Sequence, residues 1–228
     1  MEKIVLSMGG SVLVPGEDDA RFMRSLADRL SLLAHEYKMI VVCGGGKIAR
    51  YYIQSGRELG GGEEQLDMLG IRVTRLNARL LQLALGETAE PIIPEDLEEA
   101  VRLAREGRIV SMGGTVPGHT TDAVAAMVAA AWGADRIVNA TSVDAVYSED
   151  PRKVVNARRY STLSFQELYE IVDRGDHDAG QTAIFDRKGA EIAMRAGIPL
   201  SIVLGRDLEE LERAIRNLDI KGTRILDR

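Results

Sequence analysis

The sequence predicts an α/β fold with a largely parallel sheet. Three observations carry that prediction. Short apolar runs alternate with helix-period stretches along the 228 residues. Hydrophobic residues make up 45% of the chain, enough for a full core. And three of the apolar runs end in glycine-rich turns: Ile4-Val5-Leu6 leads into Gly9-Gly10-Ser11, Ile40-Val41-Val42 into Gly44-Gly45-Gly46-Lys47, and Ile109-Val110-Ser111 into Gly113-Gly114-Thr115.

In chain order, the first run predicts a strand over 3–8, followed by a helix over 19–36. A second strand over 39–43 precedes a helix over 48–59, so the chain opens with repeated β-α units. Residues 63–85 have the period of a long amphipathic helix. Gly70 weakens its middle by about 1 kcal/mol relative to alanine, and Gly60-Gly61-Gly62 supplies the break before it. A helix over 95–106, an extended run over 109–111, a strongly helical Ala-rich stretch over 122–132 and an extended run over 136–140 continue the alternation. After Asp144-Ala145-Val146-Tyr147 comes a polar stretch containing Pro151, then a helix over 164–174, a flexible loop over 175–180 and a helix over 184–196. A strand over 199–203 and a helix over 208–217 close the chain. No repeat, low-complexity segment or long linker interrupts it, so a single domain over 1–228 is expected.

A net charge of −6 and the lack of any long Lys/Arg run argue against nonspecific nucleic-acid binding. The one cysteine, Cys43, ends an apolar run beside the triple glycine. It cannot form an intramolecular disulfide, and with no Cys/His pairing pattern it reads as a buried thiol. The chain starts with a charged dipeptide and a short strand-like run, neither a signal peptide nor a membrane span. The cytoplasm is the expected compartment, with no membrane partner.

Glycines let the backbone approach a ligand closely, and a helix following such a turn aims free N–H groups and its positive dipole end at an anion. Three such turns at strand ends point to phosphate handling. The second turn fails the P-loop pattern, because position 41 is Val and Ile48 stands where Ser or Thr should follow the lysine. It does match the dinucleotide G-x-G-x-x-A spacing at Gly44, Gly46 and Ala49. That match follows the second strand rather than the first, and Glu63, Glu64 and Asp67 follow a triple glycine rather than a strand, which disfavours a redox Rossmann domain. Lys47 and Arg50 stand in the first turn of the following helix, placed either to neutralise phosphates or as solvated surface charges.

The run from Gly113 through Thr115, Val116, Pro117, Gly118, His119, Thr120 and Thr121 to Asp122 is the densest polar cluster between apolar segments. Thr120 or Thr121 can cap the next helix and Asp122 can complement its dipole. Capping accounts for two residues, whereas the cluster as a whole reads as a ligand-holding loop. His119 is either a ligand neighbour or ordinary turn chemistry. His35 and His177 lie elsewhere without metal-ligand spacing, so no protein-built metal site is expected. Arg72, Arg75 and Arg79 share one helix face at i, i+3, i+7 and read as a solvated or subunit-facing stripe.

Gly9-Gly10-Ser11-Val12-Leu13-Val14, residues 44–50, residues 113–122, and residues 142–147 followed by Asp150-Pro151, in that order and spacing, resemble the archaeal-type uridylate kinases of the amino acid kinase superfamily. The resemblance spans essentially the whole chain, and the run from Gly113 to Ala123 is specific to that branch. It implies a three-layer αβα sandwich in which ATP phosphorylates UMP to UDP without a catalytic base. The N-terminal part would bind the acceptor and the C-terminal part ATP. UMP would lie against Gly45, Asp67 and the loop from Thr115 to Thr121, with Asp67 on the ribose. ATP phosphates would meet Gly9, Gly10, Ser11, Gly46 and Arg50, and the nucleoside would lie near Thr141, Ser142, Tyr147 and Asp150, with core packing the alternative role for Tyr147. The catalytic set would be Asp122, Arg50 and Lys47, with Mg²⁺ held mainly by nucleotide phosphates.

There are departures from the family pattern. Many superfamily members carry a lysine where this chain has Ser7, and Lys47 is the candidate replacement. Ser142 stands where Asn is common, and Ala145 where Gly is common. The stretch 179–184 keeps Gly180 but otherwise diverges, and is assigned to a mobile lid on the ATP side. The resemblance also implies a homohexamer built as a trimer of dimers, with the 63–85 helix facing the dimer partner, and UTP feedback. The competing functions are an isopentenyl phosphate or carboxylate kinase of the same fold, and a noncatalytic nucleotide sensor.

Overall fold

The computed structural model describes residues 1–149, 154–175 and 184–227. In chain order its elements are β1 (Glu2–Met8), α1 (Gly10–Leu13), α2 (Asp19–Leu33), β2 (Tyr37–Cys43), α3 (Gly46–Glu58), α4 (Glu63–Leu85), α5 (Leu97–Leu103), β3 (Val110–Met112), α6 (Thr121–Trp132), β4 (Arg136–Thr141), β5 (Val146–Tyr147), β6 (Arg159–Tyr160), β7 (Thr162–Leu163), α7 (Phe165–Gly175), α8 (Arg187–Ala196), β8 (Leu200–Leu204), α9 (Leu208–Ile215) and β9 (Thr223–Ile225).

Seven strands form one sheet in the order β3-β2-β1-β4-β8-β9-β7; β5 and β6 form a separate antiparallel ribbon. Every pairing in the large sheet is parallel except β8 with β9. The central strands are apolar on both sides because helices cover both faces. On one face Val5, Ile40, Val42, Val110, Ile137 and Leu200 pack against α5, α6, α7 and α8. On the other, Ile4, Leu6, Met39, Val41, Val138 and Val203 pack against α2, α4 and α9. This is the three-layer αβα arrangement expected. Each Leu, Ile or Val so enclosed contributes about 1.5–3 kcal/mol.

Several boundaries differ from the periodicity. The helix expected over 95–106 is α5, started by Asp96 accepting from the Glu99 N–H at 2.8 Å, then a single 3-10 turn over 104–106, ended by Gly107 at φ 94°. The helix expected over 184–196 begins at Arg187 because Asp186 caps it, accepting from the Gly189 N–H at 2.8 Å. Strand β9 was not expected. Of the loop expected over 175–180, Gly175 ends α7, and the rest lies outside the described residues.

Topology places the site. From β1 the chain builds outward to β2 and β3 on one side, then crosses over to β4 and β8 on the other. The order reverses at the boundary between β1 and β4, and ligands of open parallel sheets bind beyond the carboxyl ends of strands at such a switch point. The three glycine turns lie at those carboxyl ends.

Candidate active site

The first two glycine turns touch each other through backbone alone. The Gly44 N–H donates to the Met8 carbonyl at 2.8 Å, and the Gly9 N–H to the Ala140 carbonyl at 2.9 Å. A methyl group at Gly44 would stand 2.5 Å from the Gly10 nitrogen; one at Gly46 would stand 2.6 Å from the Gly10 carbonyl carbon; and one at Gly10 would overlap the Gly46 nitrogen. Gly46 has φ 62°. Helix α3 starts there, and its earliest backbone bond runs from Ala49 to Gly45 at 3.3 Å. The N–H groups of Gly46, Lys47 and Ile48 therefore have no acceptor within the helix, the arrangement that attracts an anion.

The third turn is seated on α4. A methyl group at Gly113 would stand 2.5 Å from Thr74 Oγ1 and 2.6 Å from the Arg75 nitrogen. Thr74 Oγ1 accepts from the Gly114 N–H at 2.7 Å, and Asp67 Oδ2 accepts from the Gly118 N–H at 2.7 Å. Asn77 Nδ2, on the same helix, donates to the Gly44 carbonyl at 2.7 Å. Between the second and third turns lies a cleft of about 390 Å³. Its walls are Gly45, Gly46, Ala49, Arg50 and Ile53 from α3 and its turn, Asp67, Gly70, Ile71 and Thr74 from α4, and Gly114, Gly118, His119, Thr120 and Thr121 from the third turn. A larger surface hollow of about 800 Å³ lies over α5, away from every glycine turn.

Asp122, in the first turn of α6, sits behind the third turn. As a residue it keeps some open surface, but its carboxyl is enclosed, and Ser7 Oγ donates to Oδ1 at 2.7 Å. Burial pushes the carboxyl up to about 7, and the nearby charge of Asp186 adds to that rise; the Ser7 bond opposes it. Asp186 reaches the same place from α8. Its carboxylate accepts from the Thr120 hydroxyl, and Thr120 Oγ1 in turn accepts from the Ala123 N–H at 3.1 Å, capping α6. Gly189 lets the two helices meet, since a methyl there would stand 3.1 Å from the Asp122 carbonyl oxygen. Lys188 Nζ lies 2.7 Å from His119 Nε2.

The cleft therefore brings together Gly45, Gly46, Arg50, Asp67, Gly118, His119, Thr120 and Thr121. Thr115 is buried behind it, Val116 is half exposed, and Pro117 lies between them and Gly118. Thr120 has both hydroxyl roles occupied by the cap and by Asp186. Gly9, Gly10 and Ser11 stand at the end of β1, and Thr141 and Ser142 at the end of β4, beside them. Tyr147 Oη donates to the Asp144 carboxylate at 3.1 Å. Asp150 and residues 179–183 of the expected lid lie outside the described residues. Lys47 is exposed, makes no polar contact among the described residues, and is not part of the cleft wall. Cys43 is buried, and burial pushes its thiol up to about 12, as an inert core residue requires.

Sequence reasoning missed Thr74, Arg75, Asn77, Asp186 and Lys188. Arg75 is not the surface residue its stripe suggested, because its guanidinium grips the third turn. For Asp186 a faint signal existed: an Asp three residues before a glycine at the start of an apolar-periodic run, the mark of an N-cap. Nothing local marks the others, whose partners lie about 30 to 70 residues away in sequence. Among the described residues no group of three or more His, Cys, Asp or Glu is gathered to hold a metal ion, and no helix is long and apolar enough to cross a membrane.

The model of the amino acid kinase family matches residues 2–204. The uridylate kinase of Methanoculleus marisnigri is 46% identical over 215 residues, covering 94% of this chain and 92% of that protein. The uridylate kinase of Archaeoglobus fulgidus is 44% identical over 214 residues, covering 94% and 95%. A crystal structure of uridylate kinase from Archaeoglobus fulgidus superimposes with a TM-score of 0.89 at 43% identity, covering 99% of this chain and all of that one. A UMP kinase structure from Bacillus anthracis, at 22% identity and TM-score 0.80, shares the fold.

Proposed function

The chain belongs to the amino acid kinase family, among the uridylate kinases, and from that premise we propose that it transfers the γ-phosphoryl group of ATP to UMP, forming UDP for pyrimidine nucleotide synthesis. One observation carries the proposal: the cleft between the second and third turns sets a guanidinium, a helix N-terminus and a carboxylate around one small volume. The UMP phosphate sits at the N-terminus of α3 with Arg50 beside it. Asp67 accepts from the ribose through Oδ1, which has no partner among the described residues. The turn from Thr115 to Thr121 closes over the base. ATP phosphates lie on Gly9, Gly10, Ser11 and Gly46, with its nucleoside near Thr141, Ser142, Tyr147 and Asp150.

A phosphate monoester is largely dianionic near neutrality, with a second pKa of about 6, so its oxygen attacks without proton removal. The protein supplies alignment and charge neutralisation for in-line transfer. Arg50 and the α3 N–H groups hold the acceptor, and Ser7 keeps the Asp122 carboxyl oriented. Lys188, whose Nζ lies 2.7 Å from His119 Nε2 in the cleft wall, supplies the cation in place of Lys47, which has no polar contact among the described residues. The Asp122 carboxyl, enclosed and oriented by Ser7, is the protein oxygen donor that would face Mg²⁺ carried mainly by the nucleotide phosphates. The ion would neutralise phosphate charge.

The chain is proposed to act as one domain in the cytoplasm. Leu76, Leu80 and Leu83 form an exposed stripe along α4, which supports that helix as a subunit contact within a homohexamer, a trimer of dimers. A coupled assay with ATP and UMP, CMP, dUMP or isopentenyl phosphate tests the activity. UDP formation with UMP as the acceptor of highest kcat/KM is expected. A higher value for another acceptor, or tight UTP binding without turnover, would reject the assignment.

A further inference from the structure

The third turn is held by one side chain that never meets the substrate volume. Arg75 Nε donates to the Gly114 carbonyl at 3.2 Å, and Nη2 donates to the carbonyls of Thr115 and Glu95, each at 3.2 Å. Nη1 lies 2.6 Å from the Glu95 carboxylate, and the Arg75 side chain is only 20% exposed. Gly114 and Thr115 are buried, so their carbonyls need donors from the protein. A planar guanidinium with donors in fixed directions can serve two successive carbonyls at once; an ammonium cannot hold the same fork.

Thr74, the neighbouring residue, takes the Gly114 N–H. Gly114 is thus gripped on its N–H and its carbonyl by consecutive residues of α4. One turn further along, Asn77 holds the Gly44 carbonyl of the second turn. Helix α4 is therefore the common frame for both walls of the cleft. The far end of the third turn has separate anchors, the Thr120 cap and its bond to Asp186. Loosening Arg75 frees the carbonyls of Gly114 and Thr115, while Thr74 and Asp67 still hold the N–H groups of Gly114 and Gly118 and the Asp122 end keeps its own anchors.

We infer that Arg75 is a positioning residue: it sets the spacing of the third turn from the second, and so governs UMP affinity and discrimination between UMP and CMP, without touching either nucleotide. This rests on the kinase assignment above.

The test compares Arg75→Lys and Glu95→Gln with the wild type in steady-state kinetics, in UMP and CMP binding by calorimetry, and in thermal melting. Arg75→Lys is expected to raise the UMP KM about tenfold, the effect of losing one or two such bonds. Its kcat should stay within about threefold of wild type and its ATP KM should not move. The UMP-to-CMP preference in kcat/KM should fall by several-fold. Glu95→Gln removes only an ion pair with a largely exposed carboxylate, so its UMP KM should change less than about threefold.

An unchanged UMP KM and UMP-to-CMP preference in Arg75→Lys would overturn the inference. So would equal rises in the ATP and UMP KM, which would mark general loosening of the fold. Calorimetry gives the same comparison without turnover, and the wild-type assay alone decides the kinase assignment, so the two failures are distinguishable.

Discussion

Replacing Asp122 by Asn separates what the buried carboxylate contributes to stability from what it contributes to chemistry. Enclosure raises this group from 3.8 to about 7. The sign is the reverse of the usual carboxylate: the stabilising state is the protonated one, present below the unfolded value and lost as pH climbs to the folded value. At about 1.4 kcal/mol per pKa unit, keeping Asp122 protonated in the native state while the unfolded chain ionises costs up to about 4 kcal/mol. About 2 kcal/mol of that has been incurred by pH 5, and essentially all of it by pH 8. Asn keeps the oxygen that accepts from Ser7 and does not ionise. The advantage of Asp122→Asn over wild type should therefore widen by about 2–3 kcal/mol between pH 5 and pH 8, whatever constant offset the amide brings. Equilibrium urea unfolding of the nucleotide-free protein, at one protein concentration and both pH values, measures the difference. A gap that does not change with pH would refute the enclosure argument. The same variant should lose kcat by on the order of 10²-fold, because an amide carries no charge at the reaction centre.

The cation assignments are separable by kinetics. Arg50→Ala should lower kcat by on the order of 10²-fold and Lys188→Ala by on the order of tenfold, whereas Lys47→Ala should stay within about threefold of wild type; the opposite ranking of the two lysines would restore Lys47 to the centre. Gly10→Ala drives a methyl into the Gly46 nitrogen and should destabilise by more than about 4 kcal/mol or prevent folding. Gly62→Ala, at the N-cap of α4 with only Gln65 Oε1 near, should change stability by less than about 1 kcal/mol. Similar melting temperatures for the two alanine variants would show that the turns can part.

The alternating framework is legible in the sequence because it follows from burial. Each central strand is a short run apolar on both faces, and the main helices carry their own period. What escaped is what periodicity does not encode. Strand β9 is three residues long and polar at Thr223 and Arg224, and it is a strand only because β8 offers it an edge. Strands β5, β6 and β7 have two residues each and are likewise made by their partners. At the site, the glycine turns and the run from Thr115 to Asp122 announce themselves by composition. Arg75 has the same letter and spacing as a surface arginine, and only the approach of the third turn gives it work. Lys188 and Asp186 become site residues through the contact of α8 with α6, more than 60 residues apart.

The glycines also turned out to serve a second master. Gly10, Gly44 and Gly46 are required by each other before any ligand arrives, because the two turns meet backbone to backbone with no room for a methyl group. Under the proposed reaction one of these turns carries the donor phosphates and the other the acceptor. Their separation is then fixed by covalent geometry and main-chain hydrogen bonds rather than by side chains that change rotamer. In-line transfer with no base and no covalent intermediate depends chiefly on that alignment. Positive charge is a separate requirement, met by side chains that can be recruited from any element reaching the cleft. Under the proposed reaction that division accounts for Ser7 standing in place of a lysine: the aligning unit stays intact, and Arg50 from α3 with Lys188 from α8 is proposed to replace the charge without disturbing distance.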